Sequence, residues 1–222
     1  MSAHFDELMQ QLQQRCMGMA ALVRETVETA ANAVLSRDVT LGEKVRELEA
    51  RTDAQEVEIE KQAISLLLLH APAASDFRTV FGVVKINGDL ERIADCALNI
   101  CQQVPRFASS PVDTPRAIRD LAEATLKQVD DTVRCLATRD ATLAEQICRA
   151  DDLVDALNSQ IIQELQLGMA KDAAAIAPDL ALIMVSKNFE RIGDHCNNIA
   201  EDVVYLMRGQ IVRHAHEGPK AS

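Results

Sequence analysis

The chain has 222 residues and a formal charge of −11, with 3% aromatics, no Trp, one Tyr, 8 Gly and 6 Pro. So few turn formers and so much Ala, Leu, Glu, Gln and Arg exclude a protein of many short strands and point to long helices. The acidity, with no basic stripe, excludes a nucleic-acid phosphate backbone as ligand and disfavours direct contact with an anionic membrane.

Helix 1 is expected from Phe5 to Leu35, because Leu8, Leu12, Met19, Leu22, Val23, Val27, Ala30 and Val34 recur at three- and four-residue steps. The N-terminal stretch MSAHFDELMQQLQQR has neither a basic start nor an apolar run, so no secretory leader and a cytoplasmic location are expected. After the break at Ser36-Arg37-Asp38, helix 2 opens at Val39 or Thr40 and runs to His70, where Pro72 stops it. The longest apolar run, Ile64 to Ala74, falls well short of the ~20 residues of a membrane helix. Helix 3 is expected from an N-cap at Ser75 to about Val104, with Pro105 ending it. The stretch RFASSPVDTP, 106–115, then reads as a linker rich in Pro and Ser.

The second half repeats the first. SRDVTLGEKV at 36–45 returns as TRDATLAEQI at 138–147, an offset of 139 − 37 = 102. DLERIADCALNI at 89–100 returns as NFERIGDHCNNI at 188–199, an offset of 190 − 91 = 99. Helices 4, 5 and 6 are therefore expected near 115–137, 140–169 and 176–208, and the three-residue difference is expected in the loop between the second and third helices of each half. The fold class that follows is all-α: two tandem three-helix bundles of six long antiparallel helices, related by duplication. The first bundle is placed at 1–106, the linker at 107–115, the second bundle at 116–212, and a frayed tail at 213–222.

Within the repeated stretch, Glu91 and Asp95 lie four residues apart, as do Glu190 and Asp194. Like charges at that spacing repel on one helix face. Setting Glu91 at 0° puts Asp95 at ~40°, Val84 at ~20° and Leu98 at about −20°, so the acids share their face with apolar groups and read as half-buried. Buried carboxylates must be paired, protonated or metal-bound. The preceding helix of each half adds Glu49 and Asp53 in the first copy and Asp151 and Asp155 in the second, while Glu56 has only Asn158 as counterpart. If those helices are antiparallel neighbours, four carboxylates converge in each half. An oxygen-only set of that kind suits Mg²⁺, Mn²⁺ or iron better than a soft ion. The bland reading pairs Glu91 with Arg92 or Lys85, and Glu190 with Arg191 or Lys187, as surface salt bridges. Recurrence in register, each pair followed by Asn99 or Asn198, favours the metal. Arg92 and Arg191 fit either a partner for a ligand carboxylate or a plain ion pair.

Other residues carry less. His195 at i+5 from Glu190 turns away from the acid pair, and His214 and His216 fall in the tail. The six cysteines, 16, 96, 101, 135, 148 and 196, lack CxxC spacing and read as buried, reduced thiols. No Walker loop, GxGxxG or GxSxG occurs, and no His has a Glu three residues before it as a ferritin-like diiron site requires, so no catalytic residues are assigned.

LERIAD at 90–95 with Asn99, FERIGDHCNNIAED at 189–202 and the Pro72-x-x-x-Asp76-Phe77-Arg78 segment together resemble the PhoU family of phosphate-transport accessory and regulatory proteins. The resemblance covers nearly the whole chain. It implies doubled three-helix bundles with multinuclear metal sites on Glu91, Asp95, Glu190 and Asp194, joined by Asp53 and Asp155 and, from the spacing above, Glu49 and Asp151. It implies iron or another divalent cation (Mn, Mg or Zn) as cofactor. It also implies a non-enzymatic negative regulator, a homodimer in the cytoplasm that contacts the phosphate ABC transporter ATPase and a PhoR-type sensor histidine kinase, and meets the membrane only through them. Ala94 departs from the family pattern, which has the Gly seen at Gly193. The competing reading is a metal-storage or metal-dependent hydrolytic bundle protein using the same carboxylates; turnover would need an open coordination position and a base near it.

Overall fold

The computed structural model describes residues 3–70, 72–111 and 114–209, and these hold helices and short turns with no strand. The helices are α1 (Ala3–Ser36), α2 (Leu41–His70), α3 (Ala74–Gln103), α4 (Arg116–Thr138), α5 (Ala141–Met169) and α6 (Ile176–Arg208). Short 3₁₀ turns at Val104–Arg106 and Ala173–Ala175 follow α3 and precede α6.

The repeated Arg-Asp-x-Thr sequence is the punctuation between the first two helices of each half. Arg37 and Arg139 both take the left-handed conformation, at φ 56° and 51°, which ends a helix by turning the chain away from its axis. The next residue starts the following helix. The Asp38 carboxylate accepts from the Thr40 amide at 2.8 Å, and Asp140 accepts from the Thr142 and Leu143 amides at 2.8 and 3.3 Å, satisfying donors that the first turn leaves without partners.

Within each half, every helix packs against the other two, and the halves are joined by α3 along α6 and by α1 along α4. The pairings Gly82 with Leu206, Lys85 with Asp202 and Asp89 with His195 and Asn198 run in opposite directions along α3 and α6, so these helices are antiparallel. Arg24 with Asp130 and Arg37 with Thr114 show the same for α1 and α4. One apolar core runs through both halves, with Leu12, Met19, Ile59, Ile100, Phe189 and Ile199 among its sealed side chains.

Two expectations are corrected, the cap of α3 and the place of the length difference between the halves. The N-cap of α3 is Ala73 rather than Ser75, and it makes no side-chain capping bond. The 106–115 stretch between α3 and α4 is tied down at several points: Phe107 is buried, and Arg37 donates to the Ser110 carbonyl at 2.8 Å and to the Thr114 hydroxyl at 3.0 Å. The three-residue difference between the halves lies in helix length rather than in a loop. The gaps 71–73 and 170–172 are equally long, and α2 continues to His70 where the 102-residue offset would stop it three residues short. The expected frayed tail at 213–222, with His214 and His216, lies outside the described residues.

The α3–α6 seam can be tested at its ion pair. Asp202 is nearly sealed, with its side chain 3% exposed, and Lys85 is at 23%. Lys85→Met alone should cost about 3 kcal/mol, because a buried carboxylate loses its counter-charge. Adding Asp202→Leu should recover part of that loss in urea denaturation, and a double variant as unstable as the sum of its singles would contradict this account.

Candidate metal centres

Helices α2 and α3 bring the first set of carboxylates together. Asp95 raises the pKa of Glu49, Asp53 and Glu91 alike, in each case behind the larger effect of burial, so charges from both helices act on one another. Glu91 is pushed up to about 7, by desolvation first and Asp95 second. Glu56, set aside in the sequence for want of a partner in the other half, joins this group: burial raises it, and Glu60, Asp53 and Asp95 add to the shift. Arg92 stands at the centre, with Nε 3.4 Å from Glu91 and Nη1 3.9 Å from Asp95, and Arg46 acts on Glu49. Lys85 does not pair with Glu91; it is committed to Asp202.

Helices α5 and α6 repeat the arrangement around a cleft of about 610 Å³. Asp151, Asp155 and Asp194 line it together with Asp152, and Glu190 acts on both Asp155 and Asp194. Burial pushes Asp151 up to about 6, and the Gln128 amide beside it works the other way. Lys187 reaches Glu190 at 3.2 Å. All eight carboxylates assigned from the sequence therefore fall into two groups of four on facing helices. Among the described residues, no three His, Cys, Asp or Glu side chains close around one point; the groups are open arrays. Their donor chemistry fits a hard or borderline divalent ion, because every donor is oxygen and burial and mutual repulsion disfavour the charged forms that an ion would favour.

Several contributors escaped the sequence. Gln128 on α4 donates toward Asp151 and the Gly193 carbonyl at 3.4 Å and toward Asn197 at 3.2 Å. Gly193 makes room for it: a Cβ there would stand 3.0 Å from both Gln128 Oε1 and Asp151 Oδ1. In the first half the equivalent of Gln128 is Thr26 (128 − 102), which turns back to the Leu22 carbonyl, and the equivalent of Gly193 is Ala94. A glycine inside a helix was the available signal; which α4 residue it admitted was not legible without the packing. Asn158, the counterpart of Glu56, is buried and accepts from Ser186 at 2.8 Å, away from the carboxylates.

His195 Nδ1 lies 2.8 Å from Asp89 across the seam, and Asn198 donates to the same oxygen. Five cysteines are buried, but Cys148 is only half-buried and lines the second cleft, which corrects the expectation for that thiol; burial still pushes it up to about 11.

The PhoU domain model matches the chain twice, over residues 17–104 and 118–203. Among similar proteins, the phosphate-specific transport system accessory protein PhoU homolog of Rhizobium meliloti is 34% identical over 92% of this chain and 87% of its own. That of Aquifex aeolicus is 35% identical over 96% of both. Of solved structures, PhoU from Pseudomonas aeruginosa superposes with a TM-score of 0.89 at 31% identity, covering 93% of this chain and 100% of that one. The phosphate transport system regulatory protein PhoU from Streptococcus pneumoniae gives 0.87 at 26% identity, over 94% and 99%.

Two measurements check this geometry. The folded pKa of Glu91 lies above its ordinary 4.5, so its ionisation costs the fold nothing below pH 4.5, and the cost grows to its full size above pH 7. Glu91→Gln should therefore raise the Tm of chelator-treated protein at pH 8 by roughly 2–4 °C, for about 1 kcal/mol after discounting solvent screening, and leave it nearly unchanged at pH 5. Gly193→Ala should cost about 1–3 kcal/mol through crowding of Gln128 and Asp151. Combining it with Gln128→Thr, which copies the first half, should restore much of the loss, an interaction visible only in the double variant.

Proposed function

This chain belongs to the PhoU family, and from that premise we propose that it regulates phosphate transport as a metal-binding protein without catalytic activity of its own. The observation that carries the proposal is the doubled PhoU domain match over residues 17–104 and 118–203, supported by the carboxylate group found in each half. The relatives are named as accessory and regulatory proteins of phosphate transport, which supports a role through contacts rather than turnover. Among the described residues, no helix is long and apolar enough to cross a membrane.

In the first half Glu49, Asp53, Glu91 and Asp95 would hold the metal, with Glu56 beside them; in the second half Asp151, Asp155, Glu190 and Asp194 would do so. The metal, iron or another divalent cation, would supply the positive charge that these arrays lack. The residues do the rest. Each group draws on two neighbouring helices, so side chains gathered around an ion would tie α2 to α3 and α5 to α6, and the protein would present a stiffer face. Its partners on this reading are the phosphate ABC transporter ATPase and a PhoR-type sensor histidine kinase, both held in the phosphate-replete, restrained state, with the regulator working in the cytoplasm as a homodimer.

Elemental analysis of gently purified protein should find bound ions, and Glu91→Ala with Asp95→Ala should remove roughly half of them, since the two halves bind separately. Unchanged stoichiometry would reduce the carboxylate groups to salt bridges. Deleting the gene should derepress phosphate-responsive transcription and uptake; unaltered responses would sink the regulatory assignment.

A further inference from the structure

The carboxylate clefts leave unused a second cavity, of about 400 Å³, where the two halves meet. Its floor is apolar, built from Val83 and Ile86 of α3, Leu136 of α4, and Val203 and Leu206 of α6. Gln10, Gln13 and Gln14 from α1 and the exposed Arg139 also line it. In a chain with 34 acidic residues among 222, no Asp or Glu among the described residues lines this cavity. The volume falls within the range of small-molecule pockets, which join an apolar body to a few placed polar groups.

The internal repeat shows what is particular about Arg139. Its counterpart, Arg37, has the same left-handed backbone and is occupied by the chain itself, through the Ser110 carbonyl and the Thr114 hydroxyl. Antiparallel packing of α1 on α4 puts Arg139 at the opposite end of that seam, facing the first turns of α1 instead of the inter-bundle segment. Among the described residues no hydrogen bond or ion pair engages the Arg139 side chain. A guanidinium without a counter-charge, three amides and an apolar floor are complementary to one kind of ligand.

We infer that the cavity between α1, α3, α4 and α6 binds a small amphiphilic anion, a carboxylate or phosphate monoester on a short apolar chain, with its head on Arg139 and the glutamine amides and its chain on the floor. A guanidinium meets either head with two parallel N–H donors, and the apolar chain supplies the burial that an exposed ion pair alone would lack. The inference goes beyond the metal and transport reading and depends on neither. Because the walls come from both halves, the ligand would bridge them.

The test is calorimetric titration of the full chain with octanoate and with octyl phosphate, which separate a fatty-acid-like source from a phosphate-ester source. At least one should bind saturably with one site per chain. Octanol, without the charge, and acetate or inorganic phosphate, without the chain, should bind at least tenfold more weakly. Arg139→Gln should weaken binding about tenfold and Arg139→Lys should restore part of it. Ala137→Trp, an exposed position on the rim, should block binding while leaving the melting temperature of the free protein near wild type. Absence of saturable binding by both probes, octanol binding as tightly as octanoate, or affinity indifferent to both Arg139→Gln and Ala137→Trp would overturn the inference.

Discussion

The structure turns on repulsion between carboxylates that packing holds together. In each half, four acids from two adjacent helices shift one another's ionisation, with Arg92 beside the first group and Lys187 and Arg191 beside the second. Nothing in helix formation requires this. Two like charges at i and i+4 lower helix stability by a few tenths of a kcal/mol, and burial raises the cost further, as the upward shifts of Glu91 and Asp151 record. The apolar core must be strong enough to impose the arrangement, and a core running unbroken from Phe5 to Val204 meets that need. The acids can afford to be badly placed for stability because the helices that carry them are fixed by other residues.

Much of this was legible in the chain. Periodicity in the first half, carried to the second by the repeat, placed all six helices to within a few residues, because long amphipathic stripes are the least ambiguous local signal. The two offsets revealed the duplication, and the acid pairs and their partners one helix earlier followed from it. What periodicity could not give was the third dimension. The Arg-Asp-x-Thr repeat was legible as the break between helices, but the left-handed arginine and the capping carboxylate needed the backbone. Gln128 was invisible because any of several α4 residues might have faced Gly193. The salt-bridge reading offered Lys85 as one partner for Glu91, whereas its partner Asp202 lies 117 residues away. Pairs of that separation depend on how the halves dock, and docking leaves no periodic trace.

The two halves share a plan and differ in how they execute it. Thr26 with Ala94 packs where Gln128 with Gly193 builds a hydrogen-bonded support for Asp151 and Asn197. Glu56 adds a fifth carboxylate to one group, and Asn158 withdraws from the other. The second group is therefore braced by amides and draws its fifth carboxylate from Asp152, whose counterpart in the first half is Ala50. Identical behaviour toward ions would be surprising from two sites so differently furnished.

The antiparallel run of α3 beside α6 has a consequence for ancestry. Two copies of one three-helix protein meeting across a two-fold axis would pair these helices in the same way, and every contact would then occur twice. Joining the copies in one chain lifts that restriction. Lys85 can face Asp202 because the mirror positions, 184 and 103, are free to be Met184 and Gln103. In a symmetric dimer the same pair would have had to appear in duplicate, with two buried carboxylates to neutralise instead of one. Fusion turned a self-complementary surface into one that can specialise on each side.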